Sequence, residues 1–441
     1  MSMVTFGEEN DGFIEKFIEH TFIEGFRQKF PNWDRLELML DTSCTLGCRY
    51  CYYNNPKHDK YLYPIRLEKA EDYAKNARIL FEWLYNEKGV VPRSIDIFGG
   101  EVTVKPEFYG ILDAIDDVFG DDASKISVVV PSNYSFLLSD KWKEKMIDYL
   151  ENSKVKLALS ASIDGKYLET MNRPLMGNPR TDPRDDEWYD ELFAFNKKYG
   201  FGFHPMIYSQ GIELWKDNFL WFQSMFDKHN IPWWSIYLLE IRNPEWTKEQ
   251  IREFGDFIEF LVKWTFKNRL NEDIGKYILF TFKMRGYNIL NPFSGIGRGL
   301  GCSIQSMMFV RLSDLALVPC HRTSYDEFVY GRFVVDNDKI VGIKAKNIEL
   351  LNAIYSLVSE NQPYCEGCSI KEVCSHGCLG AQYELNGDLF TPIPTVCALE
   401  HEKIRRIIKA TKDIGAYEFI LGELNEDRRL IWKRIEESLG V

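Results

Sequence analysis

The chain has 441 residues, 45% apolar and 27% charged, with 54 Lys and Arg against 66 Asp and Glu for a formal charge of −12. That apolar share can offset chain entropy, which excludes a disordered or collagen-like polymer, and the acidic balance argues against nonspecific nucleic-acid binding, which needs clustered Lys and Arg. No run of about 18 apolar residues marks a membrane span, and the start MSMVTFGEENDGF has no apolar signal core. The expectation is a cytoplasmic protein with no membrane or nucleic-acid partner.

Residues 1–33 are expected to form an N-terminal amphipathic helix, because Phe13, Phe17, Phe22, Phe26 and Phe30 recur at near-helical spacing. Strand patterns then follow at Leu36–Ser43, Ser94–Gly99, Ile126–Pro131, Lys156–Ile163, Phe203–Tyr208 and Trp234–Ile241. Helical patterns separate them near 67–86, 106–119, 140–152, 184–199 and 213–228, and another follows near 247–269. Such alternation means βαβ units and a parallel sheet. The expected fold is therefore α/β, a partial (β/α)6 TIM-like barrel over 34–270. Barrels place their chemistry at the C-terminal ends of the strands. Residues 271–300 read as a bridge, in which Gly295, Gly297, Gly299 and Gly301 make a flexible approach to Cys302. A Cys-rich domain over 301–400 and a charged helical tail over 401–441, read as a solvated cap, complete the chain.

The ten cysteines fall into two groups separated by a Cys-free stretch of 250 residues between Cys51 and Cys302. In a reducing compartment clustered thiols read as metal ligands and not as a disulfide framework. Cys44, Cys48 and Cys51 stand as C-x3-C-x2-C at the end of the first strand, with Tyr50 just before the third. Three thiolates from one loop can hold three irons of a cubane cluster and leave the fourth iron open. A zinc site completed by His58 is the alternative. Cys365, Cys368, Cys374 and Cys378 read C-x2-C-x5-C-x3-C, followed by Cys397, with Cys302 and Cys320 upstream. Here the alternative is a pair of zinc sites stapling a small domain.

The first motif at the end of a first barrel strand resembles the radical S-adenosylmethionine enzymes. Further residues fall where that family places its cofactor contacts. Gly99, Gly100 and Glu101 end the second strand, similar to the motif that engages the methionine amino group. Ser132 and Asn133 end the third, similar to the polar pair facing the ribose; Ser162 and the later Arg173 resemble the residues that hold the methionine carboxylate. The second cysteine group resembles the SPASM extension of peptide- and protein-modifying maturases in this superfamily. The resemblance implies three [4Fe–4S] clusters and S-adenosyl-L-methionine as cofactors. One auxiliary cluster would take Cys302, Cys320 and Cys378, with its fourth ligand unassigned, and the other Cys365, Cys368, Cys374 and Cys397. His321, after Cys320, stands where sulfatase-maturating relatives carry an Asp thought to act as a base, and is the candidate catalytic base.

The implied activity is reductive cleavage of S-adenosylmethionine to a 5′-deoxyadenosyl radical, followed by oxidative modification of a peptide or protein side chain: a crosslink, a thioether or a dehydrogenation. The implied partners are that peptide or protein and a reductant such as flavodoxin or ferredoxin, with the chain itself a monomer. The 35 residues before the first strand are too few for an added leader-binding domain. The substrate would then be gripped by the barrel mouth, by the 12–30 helix or through a separate protein. Radical dehydrogenation of a small molecule, and a non-catalytic metal-binding or electron-carrier protein, are the competing readings.

Overall fold

The structure, a computed structural model, describes residues 33–54, 70–177, 181–243, 245–283, 287–293, 302, 304, 306–355, 357 and 364–441. The helix expected over 12–30, His58 and the glycine run at 295–301 lie outside the described residues. In chain order the principal elements begin with β1 (Arg35–Met39), α1 (Ala70–Glu82), β2 (Ser94–Phe98), α2 (Pro106–Phe119), β3 (Ser127–Ser132), α3 (Asp140–Asn152), β4 (Lys156–Ala161) and α4 (Asp186–Tyr199). Next come β5 (Gly200–Phe203), β6 (Met206–Ile207), α5 (Trp215–His229), β7 (Leu239–Glu240), α6 (Lys248–Asn268) and α7 (Ile274–Phe282). The remainder is β8 (Met308–Arg311), β9 (Ala316–Val318), β10 (Gly331–Asp336), β11 (Lys339–Ala345), α8 (Ile348–Tyr355), α9 (Leu379–Asn386), α10 (Pro394–Asp413), α11 (Tyr417–Glu423) and α12 (Glu426–Leu439). The chain is an α/β protein whose parallel core, β5-β4-β3-β2-β1, is that of a partial barrel.

Two compact units divide it: residues 1–162, 175–201 and 303–356 form one, and 163–174, 202–302 and 357–441 the other. The stretch expected as one Cys-rich domain is thus shared between them at about residue 357.

In the first unit β1 pairs in parallel with β2 on one side and with β8 on the other, and β8, β9, β10 and β11 continue the sheet antiparallel. Alternation along the strands sorts the side chains. Leu36, Leu38, Ile95, Ile97, Val128 and Val130 share one face and are fully buried. Burying each such side chain contributes roughly 1.5–3 kcal/mol. Glu37 and Asp96, opposite each other in the register of β1 and β2, take the other face.

In the second unit β6 and β7 pair in parallel, with Phe203 and Ile236 bridged beside them. The expected strand over Phe203–Tyr208 is broken at His204-Pro205, since Pro205 has no N–H for a ladder. The expected strand from Trp234 shrinks to Leu239–Glu240 because Ser235 N–H turns back to the Pro232 carbonyl at 2.9 Å. α6 opens on a capping box, Thr247 and Gln250 each satisfying the other's backbone N–H. The tail is helical as expected but not merely a solvated cap. Ile404, Ile407 and Ile408 of α10 are buried, and Arg406 holds Glu259 of α6 at 2.9 Å. Trp432 of α12 is fully buried, with its ring centroid 4.4 Å from that of Phe293.

Candidate metal centres

In the first unit β1 ends at Met39, and the chain runs through Asp41-Thr42-Ser43 into the loop of Cys44, Cys48 and Cys51. The loop's position is set by backbone packing. A Cβ on Gly100 would lie 1.9 Å from the Ser43 carbonyl oxygen, and one on Gly99 would lie 2.7 Å from that of Asp41. The paired glycines at the end of β2 therefore serve a close approach of the chain to itself. Gly100 N–H donates to the Asp41 carbonyl at 3.0 Å and Glu101 N–H to that of Ser43 at 3.1 Å. Beneath the loop Lys105 donates to Asp41 Oδ1 at 2.7 Å, a buried pair. Burial would raise the Asp41 carboxyl, but the Lys105 ammonium and the Ser43 donors hold it below its ordinary value.

The polar residues expected to contact a cofactor gather at the next two strand ends. Glu101, 1% exposed, accepts through Oε1 from Thr103 N–H, from the Thr103 hydroxyl at 2.5 Å and from the Ser132 hydroxyl at 2.9 Å; Oε2 accepts from Asn133 N–H at 2.7 Å. One bond on Oε2 leaves that oxygen room to accept another. Burial pushes the Glu101 carboxyl up, against these four donors. Asn133 Nδ2 donates to Thr45 Oγ1 at 3.0 Å and stands 3.8 Å from Cys44 Sγ, which ties the third strand end to the cysteine loop. Thr45 and Ser135 share a hydroxyl contact of 2.9 Å. Tyr50 and Ser162 are half-buried, and Ser162 N–H donates to the Ser132 carbonyl at 2.7 Å. In the second unit Arg173, 3% exposed, lies with Nε 3.0 Å from Asp164 Oδ1, and Asp164 also accepts from Met206 N–H at 3.0 Å.

His321 Nδ1 lies 2.7 Å from Glu37 Oε1, and its ring stacks on Phe98 with centroids 4.2 Å apart and planes at 14°. A carboxylate in that place accepts a hydrogen bond from Nδ1–H, which favours the tautomer whose Nε2 is able to accept a proton. Burial and the facing Glu37 push the Asp96 carboxyl up to about 6.

In the second unit one cavity is lined by Cys365, Cys368, Cys374, Cys378 and Cys397, with Arg242, His376, Glu400 and His401 beside apolar Ile370, Phe390 and Val396. Cys378, expected with the upstream cysteines, stands here with the other four. Cys302 is exposed in this unit and Cys320 belongs to the first. The local turns are what the spacing requires. Cys368 N–H donates to the Cys365 carbonyl at 3.1 Å, and Cys51 N–H to that of Cys48 at the same distance, so both C-x2-C pairs close one turn. Gly367 and Gly377 take left-handed backbone, at φ +78° and +75°.

None of the ten cysteines is joined in a disulfide. Among the described residues no three Cys, His, Asp or Glu side chains converge on a point for a single ion; a cubane takes one thiol per iron and asks no such convergence. The donor sets fit that group. Burial and Glu101 push the Cys44 thiol up to about 11, and burial and Glu400 push Cys374 up to about 12. A cationic metal core is the partner that would bring such buried sulfurs to the thiolate form. Backbone donors already face them, Leu46 N–H to Cys44 at 3.4 Å and His376 N–H to Cys374 at 3.3 Å.

Two residues of these sites reach their partners from positions remote in sequence: Glu37 meets His321 and Arg242 meets Gly377. His401 had a signal, since it stands one helical turn after Cys397 on α10; its Nε2 is 3.6 Å from Cys368 Sγ.

No protein-family model matches the chain. No curated protein sequence matches it either. Among solved structures it is similar to Streptococcus suis SuiB bound to S-adenosylmethionine, at 14% identity and a TM-score of 0.45, over 90% of this chain and 83% of that one. SuiB bound to the precursor peptide SuiA gives 14%, 0.44, 90% and 84%. SuiB alone gives 16%, 0.44, 89% and 83%.

Proposed function

We propose that the chain is a radical S-adenosylmethionine enzyme with a SPASM-type extension, which oxidatively modifies a peptide or protein side chain. The observation that carries the reading is the meeting of three consecutive parallel strand ends at one place. β1 delivers the three-thiol loop, β2 the Gly-Gly-Glu turn and β3 the Ser-Asn pair, joined through Glu101, Asn133 and Cys44. An iron–sulfur cluster held by Cys44, Cys48 and Cys51 would supply the electron that splits the sulfonium of S-adenosylmethionine into methionine and a 5′-deoxyadenosyl radical.

The chain's own residues bind, orient and exclude water. Glu101 Oε2 is placed to accept a hydrogen bond from an ammonium, and Asn133 and Ser132 offer amide and hydroxyl groups to a sugar. The Arg173 guanidinium, fixed by Asp164, is suited to a carboxylate. His321, oriented by Glu37, would take up a proton released as the substrate is oxidised. Cys365, Cys368, Cys374, Cys378 and Cys397 would hold iron–sulfur chemistry in the second unit, and the likeness to the SPASM extension supports two further clusters in all. The peptide side of the reading rests on the likeness of the four-cysteine spacing to that of maturases. A reductant such as flavodoxin or ferredoxin would serve as electron donor.

Anaerobic reconstitution should give about 12 iron and 12 sulfide per chain, the content of three cubanes. Under reduction the protein should form 5′-deoxyadenosine, and a Cys44→Ala/Cys48→Ala/Cys51→Ala variant should form none. Product formation by that variant, or zinc without sulfide in the wild type, would sink the proposal. The substrate class is read by recovering a bound peptide and finding a loss of two hydrogens by mass spectrometry; that change on a small metabolite alone would overturn the peptide assignment.

A further inference from the structure

The cysteine cavity of the second unit is backed by four charged groups, three of them buried and Arg242 half-buried, that the proposed chemistry does not use. Lys403 Nζ donates to Glu240 Oε1 at 2.9 Å and to Glu400 Oε1 at 2.8 Å. Arg242 Nη2 lies 3.3 Å from Glu240 Oε1 and 3.7 Å from Glu400 Oε1. Glu240, Glu400 and Lys403 are each less than 9% exposed. Burial alone would raise the Glu240 carboxyl, but Lys403 and Arg242 hold it well below the usual carboxylate range. Two cations therefore balance two anions, and the set persists in the interior only because each charge is paired.

The two cations differ in what else they touch. The ammonium of Lys403 is shared between the two carboxylates. Arg242 turns its other nitrogen outward: Nη1 donates to the Gly377 carbonyl at 3.1 Å, and the residue lines the cavity. Gly377 sits in the turn between Cys374 and Cys378, in left-handed backbone. Arg242 itself lies two residues past β7. One side chain thus joins the end of a parallel strand to the backbone that aims two thiols, and brings a charge that cannot be lost by deprotonation.

We propose that Arg242 is a positioning residue of the C-terminal metal centre, which fixes the Cys374–Cys378 turn through the Gly377 carbonyl and raises the reduction potential of the cluster held in that cavity. The inference rests on the reading that the cavity holds an iron–sulfur cluster. Reduction adds negative charge to a cluster already bound by thiolates. A permanent cation against two of its ligands favours the reduced form, as net charge and hydrogen bonding around a cluster set its potential. Without Arg242, Glu240 and Glu400 would be left facing the centre with Lys403 alone.

The test is a redox titration of the anaerobically reconstituted full-length protein, followed by electron paramagnetic resonance, with iron and sulfide measured on each sample. Arg242→Gln should keep its iron and sulfide, while the midpoint of one cluster signal moves to more negative potential and the other signals stay in place. Arg242→Lys, which keeps the charge but not the fork, should return that midpoint towards wild type. An unmoved midpoint in an iron-replete Arg242→Gln protein overturns the inference. If Arg242→Gln cannot hold iron, Arg242→Lys decides. Full iron with a near-wild-type midpoint supports the charge role, and loss of iron there too overturns it. Failure of the underlying cluster reading is a separate outcome, because wild type itself would then lack sulfide and a reducible signal.

Discussion

The two cysteine regions hold thiols together by different means. In the first unit the loop of Cys44, Cys48 and Cys51 is seated by backbone packing on Gly99 and Gly100, and its polar neighbours are the Glu101 carboxylate and the Thr103, Ser132 and Asn133 donors. In the second unit five thiols line one cavity together with Glu400, and Glu400 and the Glu240 behind it are already neutralised by Lys403 and Arg242. The first site also has a buried ion pair beneath its loop, Lys105 with Asp41, but Glu101 Oε2 carries one bond and keeps room for a ligand. A site built by balanced charge has settled its electrostatics beforehand, which suits a group that is held permanently.

The largest expected effect removes that balance. Lys403→Met leaves two buried carboxylates with one cation and should cost about 3–5 kcal/mol, read by denaturant unfolding. A loss below about 1 kcal/mol would show that the charges are solvated and the contrast false. Gly100→Ala attacks the other region. Its Cβ would meet the Ser43 carbonyl at 1.9 Å, so the loop must move, at about 1–3 kcal/mol and with loss of about four iron per chain from the N-terminal centre only. Gly377→Ala is the matched change in the second unit. There the added Cβ meets nothing nearer than Gln382 at 3.8 Å, and only the left-handed backbone is strained, at about 1–2 kcal/mol with iron retained. Equal iron loss in the two variants would erase the distinction between them.

The smallest effect is a pH dependence of opposite sign in the two units. Asp96 is pushed up to about 6 from 3.8, first by burial and then by Glu37. Between those values the folded state binds the extra proton, so its contribution to stability falls as pH rises from about 4 to 6. Asp96→Asn should therefore stabilise more at pH 7 than at pH 4, where it should change stability little. Glu240 is held low, so its contribution is full above pH 4.5 and is lost as pH falls through its folded value. Thermal unfolding of the single variants across that range reads both signs.

Much of this was legible before any coordinates, and the reason is range. Thiols two or three residues apart must share a turn, so Cys44–Cys51 and Cys365–Cys378 announced themselves, as did the strand–helix alternation and the placing of Gly-Gly-Glu and Ser-Asn at strand ends. Strand lengths were less legible, because pairing is lost at Pro205 and in the turn at Pro232 for reasons that lie in the ladder and not in side-chain pattern. The partners of the site residues were not legible at all. Glu37 and His321 are 284 positions apart, and Glu240 and Lys403 are 163 apart. Local spacing encodes which atoms can bind a cluster, since a few residues of backbone limit where they point. Which charges stand behind those atoms depends on distant strands and helices packing together, and that was decided only when the chain folded.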